Sequence, residues 1–257
     1  MKRFMLPAAA AALILTAPVW GFAGTYNGNG NTGFGGPIGL GSLTLIDNGT
    51  TLSGTVNKGP NGFNDVLVIY LDTVAGGFAD TSGFADGADG LRNAISGFDG
   101  GANRSLMTFA PGFLPDYAIA LGPASDNFGG LWQLANGGNN SLNFIGSVNL
   151  NPVGNNNNPT YTFSLPVGQL GIAPNSGATF RLFGTYTSNS GFRSDEALPG
   201  NDVGAQGWNP FLNTAVASYT IVKIVPEPSS TFLATCGVAL AACGGLRRRF
   251  GRRANHC

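Results

Sequence analysis

Apolar and polar residues alternate with a period of two in several stretches of this chain, and continuous apolar runs replace the alternation near its two ends and at residues 66–71. Leu43 and Leu45 alternate with Ser42 and Thr44; beyond Asp47-Asn48-Gly49, Leu52, Gly54 and Val56 alternate with Ser53, Thr55 and Asn57. Two such runs around Asn-Gly predict a β-hairpin, since these residues accept the positive φ of a tight turn. Residues 66–71 are continuously apolar, which predicts a central strand covered on both faces; residues 117–121 read as a shorter strand of the same kind. Leu142, Phe144, Val148 and Leu150 alternate with Asn143, Ser147 and Asn149, and Tyr161, Phe163 and Leu165 alternate with Thr160, Thr162 and Ser164. The asparagines at 155–158 between them read as a hairpin loop. Phe180, Leu182 and Tyr186 alternate with Thr179, Arg181, Thr185 and Thr187, and residues 216–225 read as the last strand.

Only residues 89–95 and 167–170 look like short helical turns. The expected fold is therefore all-β: one antiparallel β-sandwich over residues 40–225. Residues 24–39 are mostly Gly, Asn and Thr, bury little apolar surface, and are expected to form a flexible lead-in.

The ends follow other rules. Met1-Lys2-Arg3 is basic, residues 4–19 are apolar, and Gly21-Phe22-Ala23 puts small residues at the −3 and −1 positions of a cut after Ala23. This order predicts a secretory signal peptide over residues 1–23, removed by signal peptidase. At the other end, Pro226-Glu227-Pro228 precedes an uncharged run, residues 229–246, that as a helix is roughly 25–27 Å long, enough to cross a hydrocarbon core. Arg247, Arg248, Arg249, Arg252 and Arg253 follow, and such a cluster stays on the cytoplasmic side. The two prolines break strand and helix alike and separate the folded part from the span.

This three-part tail, residues 226–253, resembles the PEP-CTERM sorting signal of Gram-negative bacteria, with Pro226, Glu227 and Pro228 matching the family's triplet in place. The resemblance implies export, an inner-membrane intermediate, recognition by an exosortase, cleavage near the triplet, and release to the cell surface or extracellular matrix. An ordinary C-terminal anchor on a proline-containing stalk is the alternative.

Charge and cysteine content sharpen this division. The whole chain is neutral, but residues 24–225 hold six basic and twelve acidic residues, a net of −6. An acidic surface without basic patches argues against nucleic acid as a partner. Cys236, Cys243 and Cys257 all lie in the tail, so the exported part has no disulfide and relies on its core. It has no histidine either, which excludes Ser-His-Asp and Cys-His catalysis within it. No glycine-rich phosphate loop follows a strand, and no enzymatic activity is expected.

Two constellations are candidates for chemistry. Asp80, Asp86 and Asp89 lie in a Gly-rich loop that could gather hard oxygens around calcium; the alternative is a solvated loop in which Asp86 or Asp89 caps the short helix. The spacing does not match an EF-hand. Residues 188–214 form the longest segment between expected strands and hold Arg193, Asp195, Glu196 and Trp208. Such a loop could present a ligand surface, for example to exopolysaccharide, or fold back to bury Trp208 over a sandwich edge.

The central strand at 66–72 and the strand Asp116-Tyr117-Ala118-Ile119-Ala120-Leu121 resemble in pattern the family 9 carbohydrate-binding and DOMON-type modules. That resemblance implies glycan binding and transfers no binding residue. Three readings follow: a non-catalytic surface or matrix protein, a carbohydrate-binding module, and a secreted glycan-active enzyme. Trp132 and Trp208 exposed on one face would favour the second, and a cleft with two carboxylates about 5–9 Å apart the third.

Overall fold

The structure is a computed structural model that describes residues 23–224. The expectations for the signal peptide and for the sorting tail from Pro226 to Arg253 lie outside these residues. The described chain is predominantly β, with antiparallel sheets and one α-helix. No helix among the described residues is long and apolar enough to cross a membrane.

One sheet orders the strands β1 (Gly24–Asn27), β2 (Ser42–Asp47), β3 (Thr51–Asn57) and β9 (Thr160–Pro166) as β1-β2-β3-β9. The Asn-Gly hairpin forms as the alternation predicts. Leu45 stands opposite Gly54 and Leu43 opposite Val56, so the apolar residues share one face. Asn48 closes the turn by accepting hydrogen bonds from the Thr50 and Thr51 N–H groups, and Gly49 has φ 83°.

The larger sheet is built on β4 (Val66–Asp72), flanked by β6 (Tyr117–Gly122) and the nine-residue β10 (Thr179–Thr187). Beyond β6 come β7 (Phe128–Gln133) and β8 (Asn143–Ser147). The far side of β10 is shared by β14 (Ala217–Thr220) along its first half and β11 (Arg193–Leu198) along its second.

Six of the seven β4 residues are buried, because both faces of this sheet are covered. Leu67, Ile69 and Leu71 pack with Tyr117, Ile119, Leu182 and Tyr186 against Leu43, Val56 and Phe163 of the smaller sheet. Val66, Val68 and Tyr70 point the other way, into a second core. That core is closed by α1 (Gly90–Ser96) and by a three-stranded sheet of β12 (Asp202–Val203), β13 (Phe211–Asn213) and β5 (Met107–Thr108). Leu91, Ile95, Met107 and Phe211 supply its lid. Residues 23–224 belong to one compact unit.

Three expectations need correction. The asparagines at 155–158 do not close a hairpin within one sheet, since β8 belongs to the larger sheet and β9 to the smaller. The chain between them crosses over: Val148 N–H donates to Gly129 O, and Val148 O accepts from Ser164 N–H, which joins the two sheets at this side.

The alternation from Leu142 to Leu150 is also broken. Pairing between β7 and β8 slips by one residue, with Leu131 opposite Gly146 but Trp132 opposite Phe144. The extra residue, Ile145, is a bulge that inverts the phase of the side chains. Leu142 therefore enters the second core and Val148 the first, while Phe144 stays outside at 49 % exposure.

Residues 24–39 do not form a flexible lead-in. Gly24–Asn27 is a strand paired with β2, and Gly28 and Gly30 N–H groups donate to Gly41 and Gly39 oxygens as the chain folds back. A Cβ on Gly39 would stand 2.0 Å from the Asn31 carbonyl oxygen. The glycine is there because backbone meets backbone, which is the other use of a residue without Cβ. Asn29 N–H donates to Ala197 O and Gly200 N–H to Asn27 O, joining the sheets at their second side.

Candidate functional site

Each of the three loop carboxylates is engaged by the protein itself. Asp89 is the N-cap of α1: its Oδ1 accepts from Arg92 N–H at 2.9 Å, and its Oδ2 from Arg92 Nε at 2.9 Å. Asp80 caps a 3₁₀ turn, Thr81–Gly83, by accepting from the Ser82 N–H at 2.8 Å and from the Ser82 hydroxyl.

Asp86 is fully buried. Its Oδ1 accepts from Asn140 N–H at 2.8 Å and Ala88 N–H at 3.2 Å; its Oδ2 accepts from Leu142 N–H at 3.0 Å and Arg92 Nη1 at 2.8 Å. Burial pushes its carboxyl pKa up, but these donors outweigh burial and hold it below the ordinary value. The expected calcium loop is thus a carboxylate staple between residues 86–92 and 139–142. No group of three or more acidic, histidine or cysteine side chains that could hold a metal occurs among the described residues.

Calcium needs six to eight free oxygens, and both Asp86 oxygens are already taken. Thermal melts in millimolar calcium and in chelator are expected to coincide. A rise of several degrees with calcium would overturn this assignment.

The expected ligand loop at 188–214 is likewise reassigned, because it contains β11, β12 and β13. Arg193 and Glu196 are fully buried, Asp195 is half-buried, and Trp208 sits edge-on to Phe192. Glu196 is an anchor for the N-terminal segment. Its Oε1 accepts from the Phe34 and Gly36 N–H groups at 2.7 and 3.0 Å, and its Oε2 from the Ile38 and Gly39 N–H groups at 2.9 and 3.0 Å. Asp195 adds the Gly33 N–H at 3.0 Å.

Arg193 points into the second core. Its Nη1 donates to Thr185 Oγ1 at 3.1 Å and its guanidinium lies 5.8 Å from the centre of the Phe211 ring. Burial pushes the neighbouring Tyr70 hydroxyl's pKa up, and the Arg193 cation pulls it partly back. Arg193 and Glu196 are thus closed to solvent, while Asp195 and Trp208 are partly exposed.

A shallow groove of about 400 Å³ lies between β1 and β14, lined by Ala23, Gly24, Tyr26, Ser218, Tyr219 and Thr220. Tyr26 spans it, donating to Ser218 O at 2.9 Å. Tyr219 donates to the buried Asp47 at 2.8 Å; burial first and Asp47 second push its hydroxyl pKa up. The groove places the start of the described chain beside its last strand.

The surface that sequence reasoning missed is at the opposite end of the larger sheet. Phe128 and Phe144 are 36 % and 49 % exposed, with ring centres 6.1 Å apart, and Phe144 also leans on Trp132 at 5.4 Å. Trp132 itself is buried. Ile145 is exposed beside them on β8, the outer strand of the sheet. One feature of the sequence could have pointed here: no charged residue occurs between Asp126 and Arg181.

No protein-family model, no curated protein and no solved structure matches this chain.

Proposed function

We propose that this chain is an exported, non-catalytic protein that is processed at its tail and becomes part of the surface or extracellular matrix of a Gram-negative bacterium. The observation that carries this reading is the order of parts at the end of the chain. A compact unit ending at Ile224 is followed, after Val225, by Pro226-Glu227-Pro228, an uncharged span, and Arg247, Arg248, Arg249, Arg252 and Arg253.

The interior supports a structural role over a catalytic one. The acids that sequence marked as candidates cap turns and anchor loops, and the unit holds no histidine or cysteine. The arrangement that would favour carbohydrate binding, Trp132 and Trp208 exposed together, is not what the fold presents, since Trp132 is buried.

Intact-mass analysis of surface material is expected to give a chain that begins near Gly24 and ends near the Pro-Glu-Pro triplet. Recovery of the arginine-rich tail on the surface protein would refute the processing, and turnover of a glycan substrate by residues 24–224 would refute the non-catalytic role.

A further inference from the structure

We propose that β8 is a self-association edge, through which two copies of this protein pair their larger sheets. The inference does not depend on export or on tail processing. β8 closes the order β11-β10-β4-β6-β7-β8, so it has a strand on one side only among the described residues. An outer strand presents unpaired backbone N–H and C=O groups, and proteins ordinarily blunt such edges with lysine, proline or a covering segment. β8 is short and bulged at Ile145, but Asn143–Ser147 holds no lysine or proline to keep a second strand away. Four of its five residues are exposed, including Phe144 and Ile145.

The occupant follows from charge. Residues 24–225 carry a net charge of −6, so two copies repel over most approaches. β7, β8, β9 and their connections form the one long stretch without any charge, and the exposed aromatic pair Phe128 and Phe144 stands on it. Here like meets like without an electrostatic penalty and with apolar surface to bury. A two-fold axis makes such a contact self-complementary and sets the two β8 strands antiparallel, the direction in which a strand can add to an antiparallel sheet. Phe144 and Phe128 of each copy then cover the other's edge. The contact is small, which places it in the weak, reversible class that suits repeated surface assembly.

The test is sedimentation equilibrium of residues 24–224 over about 5–500 µM, the range around a micromolar Kd. The weight-average mass is expected to rise with concentration. Ile145→Lys and, separately, Phe144→Ser should weaken association by about tenfold or more, since the first charges the edge and the second removes its apolar cover. Ile46→Lys is the control: Ile46 is 43 % exposed on β2 of the other sheet, and this variant should associate like the wild type.

Hydrogen exchange on the wild type reads the same contact without a substitution. Raising the concentration should protect Asn143–Ser147 selectively. A wild type that stays monomeric throughout overturns the proposal, also when it is retarded on a polysaccharide gel, which would make the strip a glycan surface. So does equal association of the edge and control variants, or protection that appears elsewhere.

Discussion

Glu196→Ala is expected to lower the melting temperature of residues 24–224 by about 10 °C or more. Four backbone N–H groups converge on this one buried carboxylate, and they hold the segment from Phe34 to Gly39 that covers one side of the first core. Removing the acceptor leaves buried donors unpaired, and deleting one side of a buried charged network costs about 3–5 kcal/mol. For a unit of this size each kcal/mol is worth roughly 2–4 °C.

Glu196→Gln separates shape from acceptor count. The amide keeps one oxygen, but its NH₂ group must face two N–H donors, so most of the loss should remain. Asp195→Ala removes one half-buried bond from Gly33 and should cost under about 1 kcal/mol. Limited proteolysis should cut the Glu196 variants first within residues 28–41. A Glu196→Gln protein that melts within a few degrees of the wild type would show that the carboxylate is not the anchor.

Asp86→Ala is expected to be damaging too, at about 3 kcal/mol, because it leaves the N–H groups of Asn140 and Leu142 without their acceptor and takes from Arg92 one of its two carboxylates, the other being Asp89. The same residue sets a pH dependence. Burial opposes ionisation, but the N–H and guanidinium donors prevail and the folded pKa lies below the unfolded one. A group of this kind stabilises fully above its unfolded pKa, about 3.9, and loses that stabilisation as pH falls through its folded pKa.

Wild-type stability should therefore drop below about pH 4, and the difference between wild type and Asp86→Ala should shrink there. Asp65 and Asp116 titrate with the opposite sign: burial raises their pKa values, so their contribution is lost as pH rises. They are common to both proteins and cancel in the difference. A gap between the two denaturation curves that is constant from pH 7 to pH 3 would sink this account.

The strands were legible because period-two alternation is a local property. Leu43, Leu45, Leu52 and Val56 lie inward as their spacing says, and the unbroken run at 66–71 marks the strand covered on both faces. The short helix was legible for a similar reason, with Asp86 and Asp89 both standing just before it as possible caps; the structure gives that role to Asp89. The site assignments were not legible, because a carboxylate's role depends on which donors reach it. Glu196 finds its donors some 160 residues away, so its sequence neighbours say nothing about them.

By itself, then, the sequence determined the all-β class, the Asn-Gly hairpin and the doubly covered centre, but it overran the last strand, which ends at Thr220 rather than at residue 225. Only the tertiary structure decided which strands share a sheet, since pairing is non-local and β8 and β9, neighbours along the chain, belong to different sheets. It alone decided that Gly28 and Gly39 serve close backbone contact while Gly30, Gly35 and Gly36 adopt positive φ, because a glycine reads the same in sequence whether it grants freedom or removes a Cβ. And it alone sent Val148 into the first core while Leu142 enters the second, because the one bulged residue between them, Ile145, turns the later side chains to the other face.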